Sequence, residues 1–130
     1  MIDFLVRKYR QFLEFAKRPS LRLEDKRINT CDQEFEIVDT KGARNTVTWT
    51  SVCRINAFKR DLFSIDLICI EFYLDGQEFP IEVNERMEGY KFFIDILTSK
   101  FDGFDLNWYS KIVQPAFATN LTEIWRRKNQ

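Results

Sequence analysis

Residues 65–76 read IDLICIEFYLDG, and this stretch decides the fold. Residues 65–74 are the most hydrophobic segment of the chain, yet they fall far short of the ~20 apolar residues of a membrane span. A short apolar run of this kind is typical of a central strand that is covered on both faces. Asp75-Gly76 then supplies a strong hairpin turn signal. The stretch therefore predicts an antiparallel sheet built around this strand.

Strand signals continue on both sides of this segment. After the turn, residues 78–84 alternate between apolar and polar side chains, and Pro80 within them favours an edge strand. Before it, residues 44–58 are rich in β-branched and aromatic side chains. They are long for one strand, so we expect a bend or break near Thr50-Ser51. The sequence thus predicts an antiparallel β-meander of about four strands over residues 33–84.

The N-terminal part of the chain has the periodicity of a helix. In residues 2–18 apolar side chains recur at three- and four-residue spacing, and basic side chains fall mainly on the other side. Pro19 ends the pattern. The sequence predicts an N-terminal amphipathic helix over residues 1–18, followed by a polar connection over residues 19–32.

The part of the chain after the meander has helical spacing as well. Residues 86–118 form this second helical part, with a stop at Gly103 and a credible N-cap for a short helix at Asp105. The conformation of residues 116–130 is left open between a strand and a short helix. These elements predict an α+β fold in a single domain of residues 1–130. It consists of the N-terminal helix, the antiparallel meander and C-terminal helices packed on one face.

The formal charge is zero because 20 basic side chains balance 20 acidic ones. The charges are segregated, with a net +4 in residues 1–30, −7 in residues 31–105 and +3 in residues 106–130. The zero total argues against a globally basic nucleic-acid binder. The absence of histidine removes the commonest general base and metal ligand, and no P-loop, GxGxxG or GxSxG motif occurs. The sequence thus indicates no catalytic residue, no cofactor and no metal site.

Three consecutive charged residues, Lys59, Arg60 and Asp61, separate two apolar runs. We expect a loop or hairpin tip here, and binding residues gather on loops that a rigid sheet holds in place. The alternative is a solvated hairpin end whose charges only prevent pairing at a sheet edge.

Further charged residues cluster around the predicted edge strand and at the end of the chain. Glu82, Glu85 and Glu88 form an acidic cluster that would complement a basic protein partner, mainly by speeding association. In the alternative reading, Glu85 and Glu88 merely favour a helix N-terminus. The basic residues 126–128 either contact phosphates or pair with the acidic middle of the chain.

Three classes of function fit these features. The first is a non-catalytic cytoplasmic binding protein, such as an immunity protein that neutralises a basic toxin. Its candidate partner-binding residues are Lys59, Arg60, Asp61, Glu82, Glu85 and Glu88. The alternative is a small enzyme or ligand-binding domain with a pocket between sheet and helices. Its candidate polar groups are Asp61, Asp66, Glu71 and Tyr109. The third is a self-associating protein in which the N-terminal helix pairs with its copy, so a homodimer stays open.

A cytoplasmic location without membrane attachment is expected. Charged residues between Asp3 and Arg10 interrupt the apolar run that a signal peptide needs. The three cysteines, Cys31, Cys53 and Cys69, form no CxxC pair. Two of them lie in apolar strand-like runs, which indicates buried free thiols in a reducing compartment.

Several short stretches resemble a pattern found in small bacterial proteins that have no assigned activity. The stretches are residues 55–62, 66–70, 88–90 and 115–120, and the likeness extends over about residues 47–127. The resemblance implies a bacterial cytoplasmic protein with the meander followed by helices. It transfers no catalytic residue, and it leaves out the predicted N-terminal helix.

Overall fold

The computed structural model describes residues 26–62, 65–114 and 119–128. Within these ranges the chain forms seven strands and two α-helices. In chain order they are β1 (Arg27–Thr30), β2 (Glu34–Val38), β3 (Arg44–Thr48), β4 (Val52–Leu62), β5 (Ile65–Leu74), β6 (Ile81–Asn84), α1 (Tyr90–Lys100), α2 (Trp108–Val113) and β7 (Thr122–Arg126). Every pair of these strands is antiparallel. They form a three-stranded sheet in the order β1-β2-β3 and a four-stranded sheet in the order β6-β5-β4-β7.

The predicted α+β class is therefore wrong, because the described chain is mostly β and its strands divide into two sheets. The division occurs at a short 3-10 turn, Trp49–Ser51, where the sequence predicts a break. Beyond this turn β4 pairs with β5 rather than with β3, so one continuous meander does not form. The predicted helix over residues 1–18 lies outside the described residues.

Other predictions about single elements have mixed outcomes. The helices α1 and α2 fall inside the predicted helical part, and β6 is an edge strand that begins directly after Pro80. The expectation that residues 19–32 are only a connection is wrong, because β1 lies within them. The undecided C-terminal residues contain β7.

The hairpin of β4 and β5 forms the middle of the four-stranded sheet and gives it two different faces. Successive side chains of a strand point to opposite faces. One face, here called the core face, receives Ile68, Ile70 and Phe72 from β5. The opposite face, here called the outer face, receives Leu67, Cys69, Glu71 and Tyr73 from the same strand. The apolar run of β5 looks uniform in sequence, but its side chains therefore lie in two different environments, one on each face of the sheet.

The core lies between the core face, the three-stranded sheet and the helices, and Phe35 of β2 is at its centre. This ring is fully buried and lies 5.1 Å from the ring of Phe72 in the other sheet. It also lies 4.9 Å from Phe93 of α1 and 5.0 Å from Trp49 in the 3-10 turn. Tilted and edge-on aromatic pairs at such distances add to the hydrophobic stabilisation. One side chain thus connects both sheets and a helix.

The segment between β6 and α1 attaches β1 to the rest of the fold. The backbone N–H of Ile28 donates to the carbonyl of Glu88 at 2.7 Å, and the N–H of Glu88 donates to Lys26 at 3.1 Å. Gly89 follows with a φ of 88°. A Cβ at this position would lie 2.4 Å from the carbonyl oxygen of Ile28, so only glycine permits this close approach.

Candidate functional site

The charged triplet of residues 59–61 lies inside a strand. The prediction of a loop or hairpin tip is wrong, because β4 continues to Leu62. Alternation along the strand separates the side chains: Lys59 points to the core face and Arg60 to the outer face. The triplet therefore does not act as one exposed recognition loop, although Arg60 and Asp61 are exposed.

Lys59 is buried, with only 2% of its surface exposed. Its Nζ lies 3.4 Å from Oδ2 of Asp66 and donates to the carbonyl of Val113 at 3.1 Å. Val113 is the last residue of α2, where a positive charge is favourable. The position thus gives Lys59 a structural role in holding the end of α2 on the sheet.

The three predicted acidic residues are in different surroundings. Glu85 is 7% exposed, and its Oε1 accepts the backbone N–H of Ile68 at 2.9 Å. Glu82 accepts two hydrogen bonds from the guanidinium of Arg60, at 2.8 and 2.9 Å. Glu88 is exposed. The structure therefore does not assemble these carboxylates into one acidic face.

Two tyrosines lie near the buried Glu85. Burial, and secondarily the charge of Glu85, raises the pKa values of Tyr90 and Tyr109 well above the usual range. Both hydroxyls therefore stay protonated at neutral pH and can donate a proton to a hydrogen bond but do not act as bases.

The polar groups considered for a pocket between sheet and helices do not all meet: Asp61 and Asp66 are opposite each other across β4 and β5, but Glu71 is on the other face of the sheet. Asp66 shares the core face with Lys59, whereas Glu71 lies on the outer face. There Oε1 of Glu71 accepts from Nδ2 of Asn56 at 3.1 Å and from the hydroxyl of Tyr73 at 3.3 Å.

A cleft at the other end of the four-stranded sheet has the features of a binding site. It lies where β4 begins, β5 ends and β7 ends, and its volume is about 770 Å³. Four cationic side chains line it: Arg54, Arg126, Arg127 and Lys128. Its walls also include Tyr73, Leu74 and Asp75. The cleft is thus predominantly cationic with an aromatic and aliphatic wall, a combination suited to an anionic ligand that also has apolar groups.

Each arginine in this cleft is held by specific contacts. The guanidinium of Arg127 donates to both oxygens of Asp75, at 2.8 and 2.9 Å, and to the carbonyls of Thr50 and Val52. Arg126 donates from Nε to Glu123 at 2.9 Å. These two carboxylates offset only part of the positive charge. Arg127 joins the end of β7 to the neighbouring turn, which is the pairing with the acidic middle of the chain that the sequence offered as one alternative.

Arg54 differs from the other cations because its guanidinium stacks on the ring of Tyr73, 3.9 Å from the centroid. Its Nε is buried and has no hydrogen-bond partner among the described residues. Arg54 lies within an apolar run, and nothing in the sequence distinguishes it. The basic residues 126–128 are the part of the cleft that the sequence did indicate.

None of the three cysteines within the described ranges forms a disulfide, and Cys69 is buried, Cys53 half-buried and Cys31 exposed. The described ranges contain no group of three or more acidic or cysteine side chains placed to hold a metal ion. None of the helices in these ranges has the length and apolar character needed to cross a membrane.

Comparison of the chain with protein-family models, curated proteins and solved structures finds no match in any of the three. The resemblance to small bacterial proteins therefore stays a prediction.

Proposed function

We propose that this chain is a non-catalytic binding protein that takes an acidic segment of a protein partner into the basic cleft. The observation that supports the proposal is the group of four cations around a cleft of about 770 Å³. That volume is within the usual range for a binding pocket. The cationic cleft favours an acidic partner surface over the basic toxin that the acidic middle of the sequence predicts.

The composition of the cleft favours a protein segment as its ligand. Arginine and tyrosine are enriched among residues that contribute most to protein binding, and Arg54 and Tyr73 are already stacked in the free chain. Leu74 adds an aliphatic wall. Phe79, two residues along the chain from the cleft-lining Gln77, is 75% exposed. An exposed aromatic ring so near a cationic cleft can pack on apolar groups beside the acidic ones.

Binding of a model peptide tests this proposal. The probe is a fluorescently labelled eight-residue peptide in which glutamate alternates with leucine, and fluorescence anisotropy measures its Kd. We expect binding that weakens with added salt, because each contact pairs opposite charges. The double variant Arg54→Gln/Lys128→Gln should raise the Kd about tenfold, which corresponds to about 1.4 kcal/mol. Arg127 is left intact because it holds the fold together.

The matched control removes the same charge elsewhere. Lys26→Gln/Lys41→Gln changes two exposed lysines outside the cleft and should alter the Kd less than twofold. An equal loss in both double variants would show unspecific charge attraction and refute the proposal. Equal binding of a peptide that alternates lysine with leucine would refute it as well.

A further inference from the structure

The strand β3 leaves one edge of the three-stranded sheet open. β1 and β3 are the outer strands of this sheet. The far side of β1 is occupied by the backbone of Glu88, whose carbonyl accepts the N–H of Ile28. Within the described ranges no backbone group pairs with the far side of β3, and only β2 has extensive backbone contacts with it. Unpaired backbone groups at a sheet edge are a template for a further strand.

The outer strands of the four-stranded sheet are protected against such pairing. β6 begins directly after Pro80, and proline is a residue that natural edge strands use to prevent edge-to-edge pairing. On β7, the carbonyl of Ile124 accepts the N–H of Asp105 at 3.1 Å. β3, in contrast, contains neither proline nor lysine, and its register with β2 is regular. Among the described strands, β3 is therefore the one whose edge is open to another strand.

The hairpin of β2 and β3 fixes which backbone groups face this open edge. At the turn the N–H of Asp39 donates to the carbonyl of Ala43 at 3.1 Å, and at the other end the N–H of Trp49 donates to the carbonyl of Gln33 at 3.2 Å. Hydrogen-bonded and non-hydrogen-bonded positions alternate in an antiparallel pair, so the odd-numbered residues of β3 bond to β2. The residues that direct their backbone groups outward are Arg44, Thr46 and Thr48.

We infer that β3 pairs with β3 of a second copy, antiparallel about a two-fold axis at Thr46. In this register each Thr46 exchanges both backbone hydrogen bonds with Thr46 of the other copy. The N–H of Thr48 donates to the carbonyl of Arg44 of the second copy. The reverse bond is absent because the carbonyl of Thr48 already accepts the hydroxyl of Ser51 at 2.7 Å. The three-stranded sheets of the two copies thereby become one continuous sheet.

The charges along the edge favour a second copy as the occupant. Arg44 lies opposite Thr48 of the second copy, and the neighbour of that threonine on β2 is Glu34. Because Arg44 binds Glu36 of its own chain at 2.8 Å, it then lies between two carboxylates. Two-fold symmetry repeats this arrangement at the other end. The two Arg44 residues are about 14 Å apart along the pair, which is more than a Debye length at physiological salt, so they repel little.

Charges placed at the two-fold axis test this pairing in the full chain. Sedimentation velocity of the parent should show a mass that rises towards twice the monomer value between about 5 and about 500 µM. Thr46 is exposed, and Thr46→Lys or Thr46→Glu places like charges opposite each other, which should raise the dimer Kd at least tenfold. An equimolar mixture of the two variants places opposite charges across the axis and should restore association as a mixed dimer.

The matched control introduces the same charge at another exposed threonine. Thr119→Lys lies away from β3 and should change the dimer Kd less than twofold. Circular dichroism verifies that every variant is folded. A parent that stays monomeric would overturn the inference, as would Thr46 variants that associate like the parent or a mixture that does not regain association.

Amide hydrogen exchange of the parent, followed by NMR, gives a second readout without any substitution. The N–H of Thr46 faces the open edge, so it should exchange at least tenfold more slowly at the higher concentration than at the lower one. The N–H of Val47, which is already bonded to β2, should exchange slowly at both concentrations. Fast exchange of Thr46 at both concentrations would overturn the inference.

Discussion

Gly89 occupies a position in which the backbone of one element touches that of another. Its φ of 88° lies in the left-handed region, and a Cβ would be 2.4 Å from the carbonyl oxygen of Ile28. Gly42, in the turn between β2 and β3, has a φ of 83° but open space around the same point. Alanine substitutions at these two glycines therefore separate the free-energy cost of the left-handed backbone conformation, which both share, from the cost of a steric clash, which only Gly89 has.

We expect Gly89→Ala to destabilise the chain much more than Gly42→Ala. A left-handed residue with a side chain costs about 1–2 kcal/mol, which both variants share. Gly89→Ala must in addition displace β1, whose Ile28 is buried. Urea unfolding measures both free energies, and equal losses would show that the contact with Ile28 is unimportant.

The short helix α2 shows how an element depends on contacts from elsewhere in the chain. It has six residues, and isolated helices of that length are marginal in water. Three of its side chains are buried, and Lys59 of β4 holds its last carbonyl. At its start, Asp105 accepts the N–H of Asn107 at 2.9 Å and pairs with Lys111. The helix is therefore stabilised at both ends by charged groups.

The Asp105–Lys111 pair makes the stability of this element depend on pH. The hydrogen bond from Lys111 holds the pKa of Asp105 below its ordinary value of 3.8. A carboxyl with a lowered pKa stabilises the folded chain above its ordinary pKa and loses that effect as the pH falls through the folded pKa. We expect the stability difference between the parent and Asp105→Asn to be constant near pH 6 and to shrink below about pH 4.

Chemical unfolding between pH 6 and 2.5 measures this difference. Lys111→Met removes the largest cause of the shift but keeps the hydrogen bond from the Asn107 backbone, so its pH dependence should lie between those of the parent and Asp105→Asn. A difference that stays constant over the whole range would contradict the role of this pair.

At the scale of the whole molecule, the two sheets are joined through an aromatic cluster. Phe35 of the three-stranded sheet contacts Phe72 of the four-stranded sheet and Phe93 of α1. The cleft and the core face lie on the same four-stranded sheet, so the packing of Phe35 also stabilises the framework that places Arg54 and Arg127.

We expect Phe35→Ala to lower the free energy of unfolding by about 3–5 kcal/mol, as for other fully buried phenylalanines. Phe92→Ala is the matched control, because this ring is largely exposed and should change stability by less than about 0.5 kcal/mol. Urea unfolding followed by tryptophan fluorescence and by circular dichroism should give one shared transition. Two separate transitions would show that the sheets unfold independently.

The sequence by itself determined the features that depend on neighbours along the chain. The apolar run and turn signal of residues 65–76 placed β5 and its hairpin, Pro80 marked an edge strand, and the spacing after residue 86 located both helices. The break near Thr50-Ser51 was also predictable, because the run of residues 44–58 exceeds the usual strand length of about 3–10 residues. Such features depend on the periodicity of apolar side chains and on turn-forming residues, and both can be recognised in a short stretch of sequence.

Only the tertiary structure decided which strands pair, which charges are buried and where a cleft forms. β1 has a single buried side chain, Ile28, and it is a strand because β2 pairs with it. Lys59 and Glu85 looked like surface charges. Alternation along β4 turned Lys59 to the core face, and Glu85, directly after β6, is buried where its carboxylate accepts the N–H of Ile68. The cleft joins Arg54 to residues more than seventy positions later. Contacts between distant residues depend on how sheets and helices pack together, and no local pattern contains that information.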